Sequence, residues 1–211
     1  MNKIPLDNSI NAAMKRTLDI IGAILMLVLG LPLFLFCALG VKISTHDPIL
    51  FKQTRIGKDD KPFTMYKFRS LVMNNEENTA WTGQYDDRRT PFGAFMRHYS
   101  LDETMQLLNV LKGEMSLVGP RPEIPFWVEH FKKEIPNYSF RHRIKPGITG
   151  WSQINGLRGD TPVTTRTEYD IFYIKNWSFL WDIKILLITV FGAKFINNEK
   201  IRVQKSSDNR L

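Results

Sequence analysis

Between positions 20 and 41 the chain reads IIGAILMLVLGLPLFLFCALGV, about 22 residues without a charge. Backbone N–H and C=O groups cannot be left unpaired in hydrocarbon, so a run of this kind is helical where it meets lipid. At 1.5 Å per residue it is long enough for a layer roughly 30 Å thick. It is too long for the apolar part of a cleaved leader, and no small-x-small site follows before Lys42, so the segment is expected to stay on the chain. Gly30 and Pro32 fall near its middle. Pro32 removes one helical donor and clashes with the preceding turn, so these two residues mark the expected helix break. Lys15 and Arg16 precede the run, and Lys42, Lys52 and Arg55 follow it. Positive charge at both ends gives no preferred orientation, as holds when both ends lie on one side. The residues alone leave two readings open, a re-entrant helix and a spanning helix with a tolerated proline.

The remainder must pack around this anchor. At 211 residues the chain has room for one further domain. The expected division is an N-terminal segment with the membrane helix over 1–42, a cytosolic domain over 43–200, and a polar tail over 201–211. Lys and Arg number 29 against 21 Asp and Glu, a net charge of +8, which favours a partner carrying phosphate: nucleic acid, anionic lipid or a phosphorylated small molecule. Cys37 is the single cysteine, so no intrachain disulfide forms and thiolate metal sites are excluded. His46, His98, His130 and His142 are dispersed, which disfavours zinc.

After the anchor, residues 49–51, a polar turn at 57–61, and the alternation of Phe63, Met65, Tyr66 and Phe68 predict a β-hairpin. Residues 74–89 are polar and predict a loop. Helical patterns occupy 124–134, 162–175 and 179–196. The last is too apolar for a free surface helix, yet Asp182, Lys184 and Lys194 argue against a second span. It fits either interfacial packing, with Trp177, Phe179, Trp181 and Phe195 at headgroup level, or the core of the domain. The fold class is therefore α+β: a membrane helix, then a mostly helical domain with a small β-hairpin.

A helix is predicted from Ser100, with Leu101, Met105, Leu108 and Leu111 at helical spacing and Gly113 stopping it after Lys112. Ser100 and Glu103 have the spacing of a capping box, in which the acids do no more than stabilise the first turn. The same geometry allows chemistry. A helix N-terminus accepts phosphate oxygens, and Asp102 beside it is expected to have a lowered pKa and to be ionised, as a nucleophile toward phosphorus must be. A divalent cation bridging the carboxylates and a diphosphate would remove their repulsion, and Mg²⁺, which prefers oxygen ligands, is the expected ion, held by Asp102 and Glu103. In Gly119-Pro120-Arg121-Pro122, the second proline restricts Arg121 to extended backbone, which suits a bidentate phosphate contact. Lys67, Arg69, Arg97, Arg141, Arg143 and Lys145 are further cationic candidates, each also readable as a solvated surface charge.

Taken together, the basic apolar anchor and the segments FKQTRIGKDDKPFTMYKFRS, SLDETMQLLNVLKGEMSLVGPRP and RHRIKPGITGWSQINGLRGD resemble the bacterial sugar transferase family, the monotopic phosphoglycosyl transferases, over residues 15–196. The resemblance implies that Asp102 is a nucleophile and Glu103 its partner in a catalytic dyad that requires Mg²⁺, and that a re-entrant helix holds the site at the cytoplasmic face of the bacterial inner membrane. It implies ping-pong transfer of a sugar 1-phosphate from a UDP-sugar to undecaprenyl phosphate with release of UMP, the first membrane step of polysaccharide or glycoconjugate synthesis. Arg121, Arg69, Lys67 and Arg97 are the expected phosphate-binding residues. Arg143, Lys145, Trp151, Gln153, Asn155 and Arg158 are expected on the nucleotide-sugar side, with Trp151 readable equally as a packing residue. The chain resembles the minimal, catalytic-domain-only form. Some small members carry Ser-Pro at the helix break where this chain has Leu31-Pro32, and the segment GLRGDTP is more like members that handle hexose 1-phosphates. Inner-membrane lipid is an expected partner, a homo-oligomer is compatible with the sequence, and nucleic acid is not expected. The alternatives are a noncatalytic anchored protein whose basic face binds anionic lipid or nucleic acid, and an enzyme that transfers directly without a covalent intermediate.

Overall fold

The computed structural model describes residues 3–45, 47–72, 89–159 and 161–192. The apolar run lies inside one helix, α1 (Ser9–Thr45), which runs on through Gly30 and Pro32, so the expected break does not interrupt it: Pro32 removes one donor, and the turns on either side carry the helix past it. It starts where the Asn8 side chain accepts from the Ile10 N–H at 2.8 Å, a side-chain cap. Its buried positions fall into two groups, Lys15, Asp19 and Ala23 at one end and Cys37 and Val41 at the other. Between them Leu25, Val28, Leu29, Leu33 and Leu35 are exposed. So many uncovered aliphatic side chains in sequence mark a surface that is not made for water.

The hairpin forms as expected. Strands β1 (Leu50–Ile56) and β2 (Pro62–Phe68) pair antiparallel from Leu50–Phe68 to Ile56–Pro62. The turn between them holds Asp59 and Asp60 at φ 56° and 58°, which short polar side chains tolerate. Alternation along β2 turns Phe63 and Met65 to one face and into the main core, while Phe68, of opposite parity at the strand's end, is buried in a second cluster. The expected loop at 74–89, apart from Arg89, and the tail at 201–211 lie outside the described residues. Helix α2 (Pro91–His98), which the sequence reading did not identify, begins with Thr90 accepting from the Gly93 N–H.

The expected helix from Ser100 is in fact a 3₁₀ turn, Leu101–Met105, followed by α3 (Gln106–Lys112), with Gly113 ending it at φ 84°. A short strand β3 (Ser116–Val118) pairs parallel with β4 (Gly147–Thr149), and both were too short to register in the sequence. The chains approach so closely here that a Cβ on Gly147 would lie 2.0 Å from the Gly119 nitrogen. Helix α4 (Pro125–Glu134), a 3₁₀ segment Tyr138–Arg143, the short α5 (Trp151–Ile154), α6 (Val163–Lys175) and α7 (Phe179–Phe191) complete the described chain.

The main core gathers Ala23 of α1, Phe63 and Met65, Leu107 and Val110, Leu117 and Val118, and Tyr173, Ile174 and Ile185. A second cluster joins Cys37 and Val41 to Phe68, Met96 and Met105. Both buried groups of α1 thus rest on the one body formed by the rest of the chain. The first end is also fixed by charge. Lys15 Nζ lies 2.6 Å from Asp182 Oδ2, and Asp182 further accepts from Tyr173 Oη at 2.6 Å and Trp177 Nε1 at 3.0 Å. Asp19 accepts from Ser116 Oγ and the Leu117 N–H.

Candidate active site

The 3₁₀ turn carrying the acidic pair is entered through Ser100 at φ 57°, a left-handed conformation. The capping box expected there does not form. Ser100 makes no side-chain cap bond, and the Glu103 carboxylate turns toward cations instead: Lys67 Nζ at 2.7 Å, and Arg121 in a two-point clasp with Nη2 at 2.6 Å and Nη1 at 3.1 Å. Charge-assisted contacts with two cations outweigh one neutral back-bond to the turn. Lys67 arrives because Asn109 ties β2 to α3, accepting from the Tyr66 N–H at 3.0 Å and donating to the Thr64 carbonyl at 2.6 Å.

The two carboxylates therefore differ. Asp102 is buried, and among the described residues nothing hydrogen-bonds to its carboxylate. Burial and the neighbouring Glu103 charge raise its pKa, against the opposing pull of Lys67, Arg97 and Arg121. The expectation of a lowered value is thus corrected: a dry site beside a second anion outweighs cations that are committed to Glu103. For Glu103 burial acts upward, but Arg121 and Lys67 hold its pKa well below the usual carboxylate range. Adjacent acids pushed in opposite directions are a mark of divided chemical roles.

The cationic candidates divide too. Arg121 keeps 37 % of its side chain exposed, so it can meet a solute while clasping Glu103. Arg97 donates to Ser70 Oγ at 2.8 Å and its charge reaches Asp102. Arg158 donates to the Gln153 carbonyl, and its surroundings include Arg121 and Glu103. The rest are engaged elsewhere. Arg69 binds the Pro48 carbonyl at 2.8 Å and lies over Phe51; Arg143 pairs with Asp7 at 2.9 Å. Lys145 lies among the charges of Arg16, Asp19, Lys58 and Lys15, beside the first end of α1. Trp151 packs edge-on to Trp181 with centroids 5.0 Å apart, Gln153 is buried and donates to the Ile148 carbonyl, and Asn155 bonds the Trp151 carbonyl.

Sequence reasoning missed Asn109, whose two bonds bring Lys67 to Glu103, and gave Arg55 no role beyond a charge after the apolar run. Asn109 had a signal: a polar residue, fully buried here, inside the apolar stretch LLNVL. Among the described residues no group of three His, Cys, Asp or Glu side chains gathers to enclose a metal ion. Mg²⁺ characteristically takes one or two carboxylates and completes its shell with water and substrate phosphates, and the unpaired Asp102 carboxylate fits that demand. Glu103 as a second ligand would bring the ion against the Lys67 and Arg121 charges.

A domain built along a long apolar helix, with a buried acid that has no hydrogen-bond partner among the described residues and lies within reach of three cationic side chains, defines a class of protein suited to phosphate chemistry. The family model for bacterial sugar transferases matches residues 10–195, and the chain belongs to that family. It is 46% identical over 195 residues to a UDP-glucose:undecaprenyl-phosphate glucose-1-phosphate transferase of Escherichia coli (strain K12), covering 90% of this chain and 42% of that protein. It is 41% identical over 198 residues to a UDP-N-acetylgalactosamine-undecaprenyl-phosphate N-acetylgalactosaminephosphotransferase of Aeromonas hydrophila, covering 90% of this chain and 47% of the relative. An uncharacterised sugar transferase of Bacillus subtilis, EpsL, is 42% identical over 178 residues, covering 84% of this chain and 85% of its own length. The chain thus spans less than half the length of the first two relatives.

Proposed function

We propose that the chain transfers a sugar 1-phosphate from a UDP-sugar to undecaprenyl phosphate through a phosphosugar ester on Asp102. The observation that carries this reading is the asymmetry of the acidic pair, one carboxylate buried with no hydrogen-bond partner among the described residues and the other clasped by Lys67 and Arg121. In the first half-reaction an Asp102 oxygen attacks the β-phosphorus, the bond from that phosphorus to the bridging oxygen breaks, and UMP leaves with the electron pair. In the second an oxygen of the polyprenyl phosphate attacks the same phosphorus and the Asp102 carboxylate departs, giving a sugar diphosphate lipid. Glu103 keeps Lys67 and Arg121 in place, and Arg121, Lys67 and Arg97 receive the phosphate oxygens. Asp102 is the residue that would hold Mg²⁺, and the ion would supply neutralisation of the negative charge that gathers as carboxylate and diphosphate meet. A hexose 1-phosphate is the substrate class favoured by GLRGDTP, and it accords with relatives named for glucose and N-acetylgalactosamine donors.

We further propose that α1 is re-entrant, with the catalytic body on the cytoplasmic face of the inner membrane. Support comes from its two buried ends meeting one body, which a helix leaving by the far leaflet would not allow. Helix α7 fits an interfacial position: Asp182 and Ile185 face inward, while Leu180, Leu187, Val190 and Phe191 are exposed.

The test is purified protein with Mg²⁺, undecaprenyl phosphate and a panel of UDP-hexoses. UMP release is expected with at least one donor, and intact mass without acceptor is expected to show the protein plus one sugar phosphate. No UMP across the panel would reject transfer. UMP with near-normal turnover by Asp102→Asn would reject the covalent route and leave direct transfer.

A further inference from the structure

The loop that presents Arg121 is held in an unusual way. Pro120 and Pro122 have no N–H to anchor it, yet four consecutive carbonyls are each bound from outside. The Gly147 N–H donates to Pro120 at 2.9 Å, Arg141 Nη2 to Arg121 at 3.0 Å, Arg55 Nη1 to Pro122 at 3.1 Å, and the Ile56 N–H to Glu123 at 2.9 Å. Two of these donors are backbone amides and two are guanidiniums from distant parts of the chain.

Arg141 is the more deeply buried of the two guanidiniums. It is only 3 % exposed, and its donors run in three directions: Nε to Asp170 Oδ2 at 2.8 Å, Nη1 to Tyr138 Oη at 2.8 Å, and Nη2 to the Arg121 carbonyl. Asp170 is oriented in turn by Ser152 Oγ, which donates to Oδ1 at 2.8 Å. A chain of contacts therefore runs from α5 and α6 through Arg141 to the peptide of Arg121, the more exposed of the two described cations that clasp Glu103. Burying an arginine and an aspartate for packing alone is costly, since apolar residues of similar volume serve as well. The fork of a guanidinium, unlike a point-charge ammonium, can satisfy three acceptors at fixed angles.

We propose that Arg141 is a positioning residue for Arg121: by fixing the Arg121 carbonyl it sets where that guanidinium meets Glu103 and an incoming phosphate. Its meaning for turnover rests on the transfer reaction proposed above; the positioning itself does not.

Two measurements test it in the whole 211-residue chain in detergent. Hydrogen exchange in Arg141→Lys is expected to quicken roughly tenfold in peptides covering residues 117–124, with α3 and α7 unchanged. UMP formation is expected to fall roughly tenfold in Arg141→Lys, but by less than about twofold when the same change is added to Arg121→Lys, because residues acting through one another are not additive. Unchanged exchange over 117–124, exchange that quickens equally everywhere, or equal losses in both backgrounds would overturn the proposal. Should Arg141→Lys not fold, Ser152→Ala, which removes only the outermost bond, is expected to quicken exchange over the same residues to a lesser extent, and no change there overturns it as well. Should the wild type release no UMP, the transfer reading falls while the exchange result still decides the positioning.

Discussion

Neighbouring residues 102 and 103 are both acids, but opposite pH behaviour follows from where each side chain goes. Asp102 has a raised pKa in the folded protein, so its ionised form costs stability that the unfolded chain does not pay. That contribution favours folding at low pH and is lost as pH rises from the ordinary carboxylate range through the folded value. Asp102→Asn is therefore expected to melt at or above the wild-type temperature at pH 7, the gap closing in acid, while turnover falls by at least about a thousandfold. Glu103 has the reverse sign: its lowered pKa stabilises above the ordinary carboxylate value and is lost as pH falls toward the folded one. Glu103→Gln is expected to lower stability at pH 7 by about 3 kcal/mol, as removal of one partner of a buried ion pair does. Denaturant unfolding across pH measures both. In the metal-free protein the Asp102 carboxyl, followed by carbon NMR, is expected to titrate above the usual carboxylate range, and Lys67→Met moves it higher still by removing a charge that favours the anion. A titration unmoved by Lys67→Met would detach that lysine from the Asp102 charge.

At the scale of elements, α1 is joined to the body by a buried charge as well as by apolar contact. Lys15 and Asp19 lie one helical turn apart and in line with Ala23, so a single stripe delivers a cation to Asp182, an anion to the β3 backbone and a methyl to the core. Lys15→Met leaves Asp182 buried with its charge unmatched and is expected to cost about 3–5 kcal/mol, whereas Lys15→Met with Asp182→Leu costs less, measured as a double-mutant cycle. Single cysteines at Lys3 and Lys58, in a chain with Cys37→Ala, are expected to react with an impermeant reagent from the same side of sealed membranes. Reaction from opposite sides would remove the re-entrant model. These elements were unequally legible beforehand. The hairpin and the helix before Gly113 were readable because their patterns repeat locally over several residues. Strands β3 and β4, three residues each, exist only because close glycine backbones bring them together.

On the scale of the whole molecule, the anchor and the catalytic body are one packing unit. Ala23, Cys37 and Val41 are 0–1% exposed, and deleting residues 1–45 would uncover two core clusters and strand Asp182 without its cation. The shortened chain is expected to aggregate in detergent-free buffer and to elute in the void volume on gel filtration, whereas a separable anchor would leave a monodisperse domain. What the sequence by itself determined are the features written in contiguous residues: the apolar run, the alternating hairpin, the acid pair before an apolar helix and the proline-flanked arginine. Tertiary structure alone decided the opposite pKa shifts of that pair and the staging of its arginine. Lys67 and Arg121 reach Glu103 from 36 and 18 residues away, and Arg141 reaches the Arg121 carbonyl across 20. A side chain's charge depends on the water it has lost and the ions beside it, and both are set only once distant segments have packed.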